Sequence, residues 1–241
     1  MQSLKNKTAI ITGAGKGLGK AMSLALAAEG VNIGMIGRTE NDLQALQQEI
    51  EKLYPDLTVA YAIADVGDAG QVRSAIASLK TSLPGVDILI NNAGILKMGG
   101  IMELPAAEWE EVFRINVFGT YYLVREVLPI MLKQGSGDII NISSTAAQKG
   151  GANMSAYGAS KAAVTNLTEA LMQEVRKKNI RVTTVTPSTV TTPMTLNAKF
   201  TDGNTEKVLQ PEDLAYLVVA NLKLPQRAFV KDIALWSTNP S

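Results

Sequence analysis

Short apolar runs alternate along this chain with longer segments in which apolar residues recur every three or four positions. A continuous run rich in valine and isoleucine is typical of a strand buried on both faces, and the spacing of three or four is typical of a helix with one apolar face. The predicted strands are 7–12, 31–36, 57–63, 86–90, 138–142, 180–186 and 228–236. The predicted helices are 17–29, a segment around 43–53, 68–83, 105–134, 152–179 and 211–222.

The regular alternation of these elements indicates the fold class. Buried strands separated by helices form a parallel sheet with helices on both faces and right-handed crossovers. We therefore expect a single α/β domain over 1–241, a doubly wound Rossmann domain with a parallel seven-stranded sheet. Thr39 with Asp42 is a candidate helix cap pair, and Asp68 is another candidate cap. Ligands of such sheets bind beyond the carboxyl ends of the strands, so the functional motifs should lie there.

The amino-acid composition removes several classes of chemistry. The chain has no cysteine and no histidine, which excludes disulfides, thiolate nucleophiles, imidazole bases and the usual zinc ligand sets. We expect no metal site, and a zinc alcohol dehydrogenase is excluded. Acid–base catalysis must use tyrosine, lysine, aspartate or glutamate.

Charge and hydropathy bear on partners and location. The formal net charge is +1, and the longest basic cluster, 176–178, falls at a predicted helix end, where cations are favourable. No stretch approaches the roughly 20 apolar residues of a membrane span, and the N-terminus lacks the apolar core of a signal peptide. We therefore expect a cytoplasmic protein that binds neither nucleic acid nor membrane.

A glycine-rich segment follows the first predicted strand and opens the first predicted helix. In it, Gly13 allows a tight turn, Gly17 lets the backbone approach a pyrophosphate, and Gly19 allows close packing of the helix. The spacing Gly-x-x-x-Gly-x-Gly differs from the commonest dinucleotide fingerprint, and a flexible loop or a helix cap is the alternative. The residues expected to contact a dinucleotide are Gly13, Gly15, Lys16, Gly17, Leu18 and Gly19.

The end of the second predicted strand indicates which dinucleotide binds. An acidic residue there would hold the adenosine ribose hydroxyls, whereas cations would bind a 2′-phosphate. This chain has Gly37 and Arg38 at that point, and Lys16 in the glycine-rich segment. Two cations that converge on the phosphate predict NADP(H) as the cofactor. The alternative is a solvated Arg38 without a ligand.

Tyr157 and Lys161 are four residues apart and therefore lie on one face of a predicted helix. A nearby ammonium favours the phenolate, so we expect Lys161 to lower the pKa of Tyr157 and to make it a proton donor or acceptor near neutrality. Reduction of a carbonyl requires such a group. From this pair alone, two unrelated side chains on an amphipathic helix remain the alternative.

Six groups of residues together resemble those of the short-chain dehydrogenase/reductase family. They are Thr12-Gly13-x-x-x-Gly17-x-Gly19, Asp65-Val66, Asn91-Asn92-Ala93-Gly94, Asn116, Ser144 and Tyr157-x-x-x-Lys161. The resemblance runs from Thr8 to about Met194 in the family's order and spacing. It implies a cofactor half over about 1–135, a catalytic and substrate half over about 136–241, and a lid over about 188–207.

The family resemblance implies a catalytic role for four polar residues. Tyr157 would be the general acid that protonates the substrate oxygen, and Lys161 would bind the nicotinamide ribose and lower the pKa of the phenol. Ser144 would polarise the carbonyl, and Asn116 would hold a water that links Lys161 to solvent. Without the resemblance, Ser143 and Ser144 are equivalent, and Asn116 is equally well a helix-kink residue.

The resemblance also implies cofactor contacts after the third and fourth predicted strands. Asp65 and the backbone of Val66 would contact adenine. Asn91, Ala93 and Gly94 would let the main chain approach the adenosine ribose. The alternative for Asp65 is a turn or helix-cap residue.

The segment after the sixth predicted strand departs from the family pattern. The family has Pro-Gly-x-Val-x-Thr, whereas this chain has Ser188 in place of the glycine. Pro187, Val190 and Thr192 still match positions that would contact the nicotinamide amide and the phosphates. The C-terminal run through Trp236 also departs. Because this edge commonly forms subunit contacts in the family, we expect a homo-oligomer, a tetramer or a dimer.

The predicted lid bears on the substrate. Its Met194, Leu196 and Phe200 are able to face an apolar substrate, or to be ordinary core residues, and 150–154 should line the opposite wall. Neither segment offers an arginine for a carboxylate, which favours a neutral carbonyl compound or an acyl chain over a small keto acid.

A 3-oxoacyl-[acyl-carrier-protein] reductase is the leading specific hypothesis, because the chain resembles such members of the family. Lys133, Lys177 and Lys178 would meet an acidic carrier, although solvated helix ends explain them equally well. A reductase of small ketones or diketones and a sterol-type or sugar-type alcohol dehydrogenase are the alternatives.

Two functions of other classes are further alternatives. A non-catalytic NADP-binding regulatory scaffold would keep the fold, but the intact Ser, Tyr, Lys and Asn set argues against it. A sugar-nucleotide epimerase or dehydratase shares Tyr-x-x-x-Lys but needs a further substrate domain, for which little chain follows Met194.

Overall fold

The strands of the protein pair into one parallel sheet within residues 1–238, the part of the chain that the computed structural model describes. They are β1 (Thr8–Thr12), β2 (Asn32–Gly37), β3 (Val59–Ile63), β4 (Ile88–Asn91), β5 (Gly137–Ile142), β6 (Ile180–Pro187) and β7 (Asp232–Leu235). Their order is β3-β2-β1-β4-β5-β6-β7, and all neighbours are parallel. The predicted doubly wound α/β fold is therefore confirmed. Residues 239–241 of the predicted domain lie outside the described residues.

Helices connect these strands on both faces of the sheet. They are α1 (Gly17–Ala28), α2 (Glu40–Leu53), α3 (Ala69–Ser82), α4 (Ala106–Phe113), α5 (Gly119–Gln134), α6 (Ser155–Val175), α7 (Pro193–Asn197) and α8 (Pro211–Leu222). Helices α1, α2 and α8 enclose one apolar core, and α3, α5 and α6 enclose the other.

Successive residues of each strand contribute to opposite cores. In β1, Ile10 packs towards α3 and α5, whereas Ile11 packs towards α1 and α8. In β4, Leu89 and Ile90 divide in the same way. Because both faces are covered, successive side chains of a strand are buried, which is why the sequence shows runs that are mostly apolar rather than an alternation of apolar and polar residues.

Two predicted elements extend more than two residues beyond an end of the observed ones. The helix predicted over 152–179 begins at Ser155 and ends at Val175, and a 3₁₀ turn and the left-handed Asn179 (φ 60°) follow it. The strand predicted over 228–236 is only β7. Just before β7, the carbonyls of Ala228 and Val230 accept hydrogen bonds from side chains of β6 instead of main-chain donors.

One of the two candidate helix caps is correct. Asp68 accepts hydrogen bonds from the Gly70 and Gln71 amides at the start of α3. The pairing of Thr39 with Asp42 is wrong, because Thr39 makes no side-chain cap bond at the start of α2. The Asp42 carboxylate instead pairs with the Lys16 amine of the glycine-rich segment.

A buried ion pair joins the amino-terminal ends of β5 and β6. Arg181 donates to the Asp138 carboxylate, and its two remaining nitrogens donate to the main-chain carbonyls of Leu222, Leu224 and Ala228. Arg181 therefore ties the end of α8 and the following turn to the sheet.

Within residues 1–238, no helix combines the length and the apolar character that crossing a bilayer requires.

Candidate active site

A cavity of about 600 Å³ opens at the carboxyl ends of β1, β4, β5 and β6. Parallel strands bring these ends to one edge of the sheet, so segments that are distant in sequence meet there. The predicted site residues that line this cavity are Gly13, Lys16, Gly17, Leu18, Ala93, Gly94, Ser144, Tyr157, Lys161, Pro187, Val190 and Thr192.

A smaller cavity of about 110 Å³ adjoins the large one and shares Gly13, Ala93 and Gly94 with it. The predicted site residues that line only this cavity are Arg38, Asp65 and Val66. These are the residues expected at the adenosine end of a dinucleotide.

The glycine-rich loop is shaped for close approach of a ligand. Gly13 and Gly17 have positive φ values of 63° and 52°, which side chains disfavour. A Cβ at Gly19 would lie 2.2 Å from the carbonyl oxygen of Gly13, so the first turn of α1 packs directly on the loop. The Asn92 amide donates to the carbonyls of Thr12 and Gly13 and joins β4 to this loop.

Tyr157 and Lys161 lie one turn apart on α6 and both face the large cavity. The Lys161 side chain is buried, and its Nζ donates to the main-chain carbonyl of Ile142 at 2.8 Å. The same Nζ lies 5.8 Å from the centre of the Tyr157 ring.

Burial controls the protonation of both groups. It lowers the pKa of Lys161 from 10.5 to about 8. It raises the pKa of Tyr157, and a hydrogen bond with Ser144 offsets only part of that rise. The expectation that Lys161 lowers the pKa of Tyr157 towards neutrality is therefore wrong: burial raises this pKa, and the Lys161 amine is directed to the Ile142 carbonyl. At neutral pH Tyr157 is a neutral phenol, the form that donates a proton.

The structure distinguishes the two serines that the residues alone left equivalent. The Ser143 hydroxyl is buried, and it donates to the Lys161 carbonyl and bonds the Thr165 hydroxyl. The Ser144 hydroxyl lines the large cavity with Tyr157, accepts a hydrogen bond from the Ala146 amide at 3.2 Å and lowers the pKa of Tyr157. Ser144 is thus the serine beside the phenol.

Comparison with known proteins decides the family. The family model for short chain dehydrogenases matches residues 7–202, most of the chain. The protein belongs to the short-chain dehydrogenase/reductase family. It is an oxidoreductase by membership, and the family binds a nicotinamide cofactor. The predicted family is confirmed.

The relatives of this short-chain dehydrogenase/reductase match it over nearly its whole length. An uncharacterized oxidoreductase of Staphylococcus saprophyticus is 34% identical over 98% of this chain and 99% of its own. A levodione reductase structure is 28% identical, with a TM-score of 0.89 and coverage of 96% of both chains. L-Sorbose reductase from Gluconobacter frateurii, solved with NADPH and L-sorbose, is 26% identical, with a TM-score of 0.88 and coverage of 97% of both chains.

The residues present fit a dinucleotide. The glycine-rich loop leaves a cradle at the start of α1, and a Cβ at Gly17 would lie 3.3 Å from the Thr192 side chain. Thr192 begins α7 and exchanges hydrogen bonds with Thr195. The N-terminus of α1 favours phosphate groups at this point.

Asp65 lines the adenosine-side cavity and also holds a turn. Its carboxylate accepts hydrogen bonds from the Gly67 amide and from Arg114, each at 2.9 Å. Partial burial raises the pKa of Asp65. The two hydrogen bonds and the charges of Arg114 and Arg38 outweigh this effect, and the pKa therefore lies below its ordinary value. The turn role and the cavity position are compatible.

The two cations expected at the adenosine end do not share a cavity. Arg38 is exposed and lines the small cavity, whereas Lys16 lines the large one. The Lys16 amine pairs with Asp42 at 2.9 Å. The convergence of both cations on one phosphate stays a prediction, and Arg38 is the cation that lines the smaller cavity.

Asn116 lies outside both cavities and organises the residues around them. It occupies a π-helical turn, Arg114–Phe118, between α4 and α5, as the helix-kink alternative predicted. Its buried amide bonds the Ile95 main chain in both directions and donates to the Ser160 hydroxyl. A Cβ at Gly94 would be 3.2 Å from its Oδ1 and 3.5 Å from the Lys161 Nζ. The water relay through Asn116 stays a prediction.

Three other residues predicted to contact the cofactor lie away from the cavities. Asn91 is buried inside the sheet and donates to Asn141 at 2.8 Å, because β4 still pairs with β5 at that position. Gly15 packs against Asp42, and Gly19 packs under the loop. Their role is to shape the loop and the strand end that carry the lining residues.

Sequence reasoning missed Lys149 and Trp236, which also line the large cavity. A signal for Trp236 existed, because it ends the last predicted strand and parallel strands end at the ligand-binding edge. Lys149 immediately precedes 150–154, the segment that the sequence predicts to line the substrate site. The charged residues that line the cavity are Lys16, Lys149 and Lys161, of which Lys16 is paired with Asp42.

The lowered pKa of Lys161 predicts an unusual dependence of stability on pH. Between about 8 and 10.5 the unfolded chain holds more protons at this site than the folded chain, so the free energy of unfolding should rise with pH. We expect wild type to gain roughly 1–2 kcal/mol across this window relative to Lys161→Met, as measured by denaturant unfolding.

An exposed lysine provides the control for that measurement. Lys5→Met should follow the wild-type curve. Parallel curves for wild type and Lys161→Met would show that burial does not perturb the amine.

Proposed function

We propose that this protein reduces a carbonyl group, of a ketone or a 3-oxoacyl thioester, to an alcohol with NADPH, and that Tyr157 is the general acid. The observation that carries the proposal is the neutral Tyr157 phenol beside Ser144 and Lys161, in the same cavity as the glycine-rich loop. In a family of oxidoreductases, these three side chains are suited to transfer a proton to a carbonyl oxygen.

Each polar group has a separate task in this proposal. A carbonyl oxygen placed against the Ser144 and Tyr157 hydroxyls accepts two hydrogen bonds, which stabilise the negative charge that develops on it. Tyr157 then gives its proton to that oxygen. The Lys161 amine, which is held by the Ile142 carbonyl at 2.8 Å, would bind the nicotinamide ribose. When bound, the reduced nicotinamide supplies the hydride.

The cofactor would lie along both cavities. The glycine-rich loop and Thr192 would hold the phosphates, and Asp65 and Val66 would contact the adenine. Arg38 would bind the 2′-phosphate, because it is an exposed cation on the adenosine-side cavity and no acid stands at Gly37.

We expect Arg38→Ala to raise the NADPH dissociation constant by about ten- to a hundredfold, because it removes a charged hydrogen bond to the 2′-phosphate. The NADH dissociation constant should change little. Fluorescence titration of both cofactors measures the effect, and Arg227→Ala, an exposed arginine outside both cavities, is the control. Equal or NADH-favouring constants in the wild type would remove NADP(H) specificity from the proposal.

The leading specific candidate remains a 3-oxoacyl-[acyl-carrier-protein] reductase. The alternatives are a reductase of small ketones or diketones and a sterol-type or sugar-type alcohol dehydrogenase. The similar structures of levodione reductase and L-sorbose reductase favour these alternatives. NADPH oxidation across ketones, diketones, ketoses and 3-oxoacyl thioesters ranks them by turnover. NADPH binding without turnover of any of them would favour a regulatory scaffold.

We propose that the protein is a cytoplasmic homo-oligomer, a dimer or a tetramer. Ile101, Met102, Phe118 and Tyr121 are exposed apolar or aromatic residues around α4 and α5, and they would be covered by a second copy. Trp236 no longer supports this idea, because it belongs to the cavity wall. Light scattering on the purified chain tests the oligomeric state.

A further inference from the structure

Three large apolar side chains that are exposed in this structure surround the active-site cavity. Trp236 is 60%, Phe200 39% and Met194 36% exposed. All three line the cavity that holds Tyr157. Exposed apolar surface on the wall of such a cavity is surface that a ligand removes from water on binding.

The main chain around Trp236 is fixed on both sides. Leu235 ends β7, opposite Pro187 of β6, and its carbonyl accepts a hydrogen bond from the Ser188 amide at 2.8 Å. The Ser237 hydroxyl accepts one from the Leu209 amide at 3.3 Å. The indole therefore projects from a base that is tied to β6 and to the end of the lid segment.

Phe200 reaches the cavity from the lid segment. That segment leaves and rejoins the fold where Val190 and Leu209 form a parallel bridge. Between these points, the Phe200 amide donates to the carbonyl of Thr195 at 2.9 Å, at the end of α7. One aromatic side chain thus comes from the lid and one from the terminal strand.

We propose that Trp236 is a specificity-determining residue, which binds a large apolar substituent attached to the carbonyl that Tyr157 protonates. The proposal rests on the reductase function above and names its substrate class. The preferred substrates are carbonyl compounds that carry an aromatic ring or an alkyl chain, rather than small ones.

Three matched diketones test this proposal. Diacetyl is compared with the analogues in which phenyl or pentyl replaces one methyl, so that only the substituent changes. Wild type should have a kcat/KM at least about tenfold higher for the larger analogues. Trp236→Ala should lower those values about tenfold, mainly through KM, and change the diacetyl value less than about twofold. Trp236→Phe should restore most of the preference for the phenyl compound.

The other tryptophan provides a control and a second readout. Trp109 stacks on Phe113 in α4 and does not line the cavity. Trp109→Phe should keep wild-type selectivity. It also leaves Trp236 as the single tryptophan, since the sequence has two. The emission of Trp236 should then change on addition of the phenyl diketone, and much less on addition of diacetyl.

The outcomes separate this proposal from the function on which it rests. If wild type reduces none of the diketones or the other carbonyl compounds, the reductase function fails. The emission of Trp236 in Trp109→Phe then decides whether Trp236 binds the apolar substituent. If it reduces them and Trp236→Ala keeps the same ratio of rates, the role of Trp236 is overturned. A ratio that favours phenyl over pentyl identifies an aromatic ring as the preferred substituent, and the reverse identifies an alkyl chain.

Discussion

Replacing Tyr157 by phenylalanine should lower kcat/KM for carbonyl reduction by about 10²–10⁴-fold, the usual contribution of one general acid. The substitution removes a hydroxyl and little volume, so the cavity should keep its shape. Because burial holds this phenol neutral, the wild-type group carries the proton that the variant lacks. NADPH oxidation with the best substrate measures the loss, and the NADPH dissociation constant should stay nearly unchanged.

The matched control is the same change on an exposed tyrosine. Tyr216 lies on α8, is 72% exposed and does not line the cavity. Tyr216→Phe should therefore retain full activity. Full activity in Tyr157→Phe would overturn the assignment of the acid, and a large loss of cofactor affinity would indicate a binding role instead.

Replacing Arg181 by methionine should lower the free energy of unfolding by about 3–5 kcal/mol, because it leaves the buried Asp138 carboxylate without its counter-charge. Three main-chain carbonyls, one at the end of α8 and two in the turn that follows it, also lose their donors. Denaturant unfolding of wild type and variant measures the loss. A variant as stable as wild type would show that the ion pair does not hold α8 to the sheet.

Two further variants separate charge burial from packing. Burial raises the pKa of Asp138 despite the hydrogen bond and the charge of Arg181. The cost of burying the carboxylate is therefore large, and adding Asp138→Val to Arg181→Met should recover part of the lost stability. The exposed pair of Lys231 with Glu169 is the surface control, and Lys231→Met should change stability little.

Sequence patterns located most of the fold because they depend on neighbours along the chain. The continuous apolar runs predicted every strand of the sheet, and the error came at β7, where β6 side chains bind the carbonyls just before the strand. The spacing of residues along the chain predicted both the glycine-rich loop and the position of Tyr157 and Lys161 on one helix face, since the period of a helix is fixed.

The finer chemistry of the site depends on contacts between distant segments. Spacing placed Lys161 beside Tyr157 but did not show that its amine is directed to the Ile142 carbonyl of β5. Burial, which comes from several elements together, sets both pKa values and reverses the expected direction for the phenol.

The sequence by itself determined the order of strands and helices along the chain, the family and the chemical groups available for proton transfer, because each depends on residue types and on their spacing along the chain. Only the tertiary structure decided that Asn91 is enclosed by the sheet, that Arg38 and Lys16 line different cavities, and that Trp236 completes the wall around Tyr157. The physical reason is that parallel strands bring residues far apart along the chain to one edge of a sheet, and no local pattern records which side chains meet there.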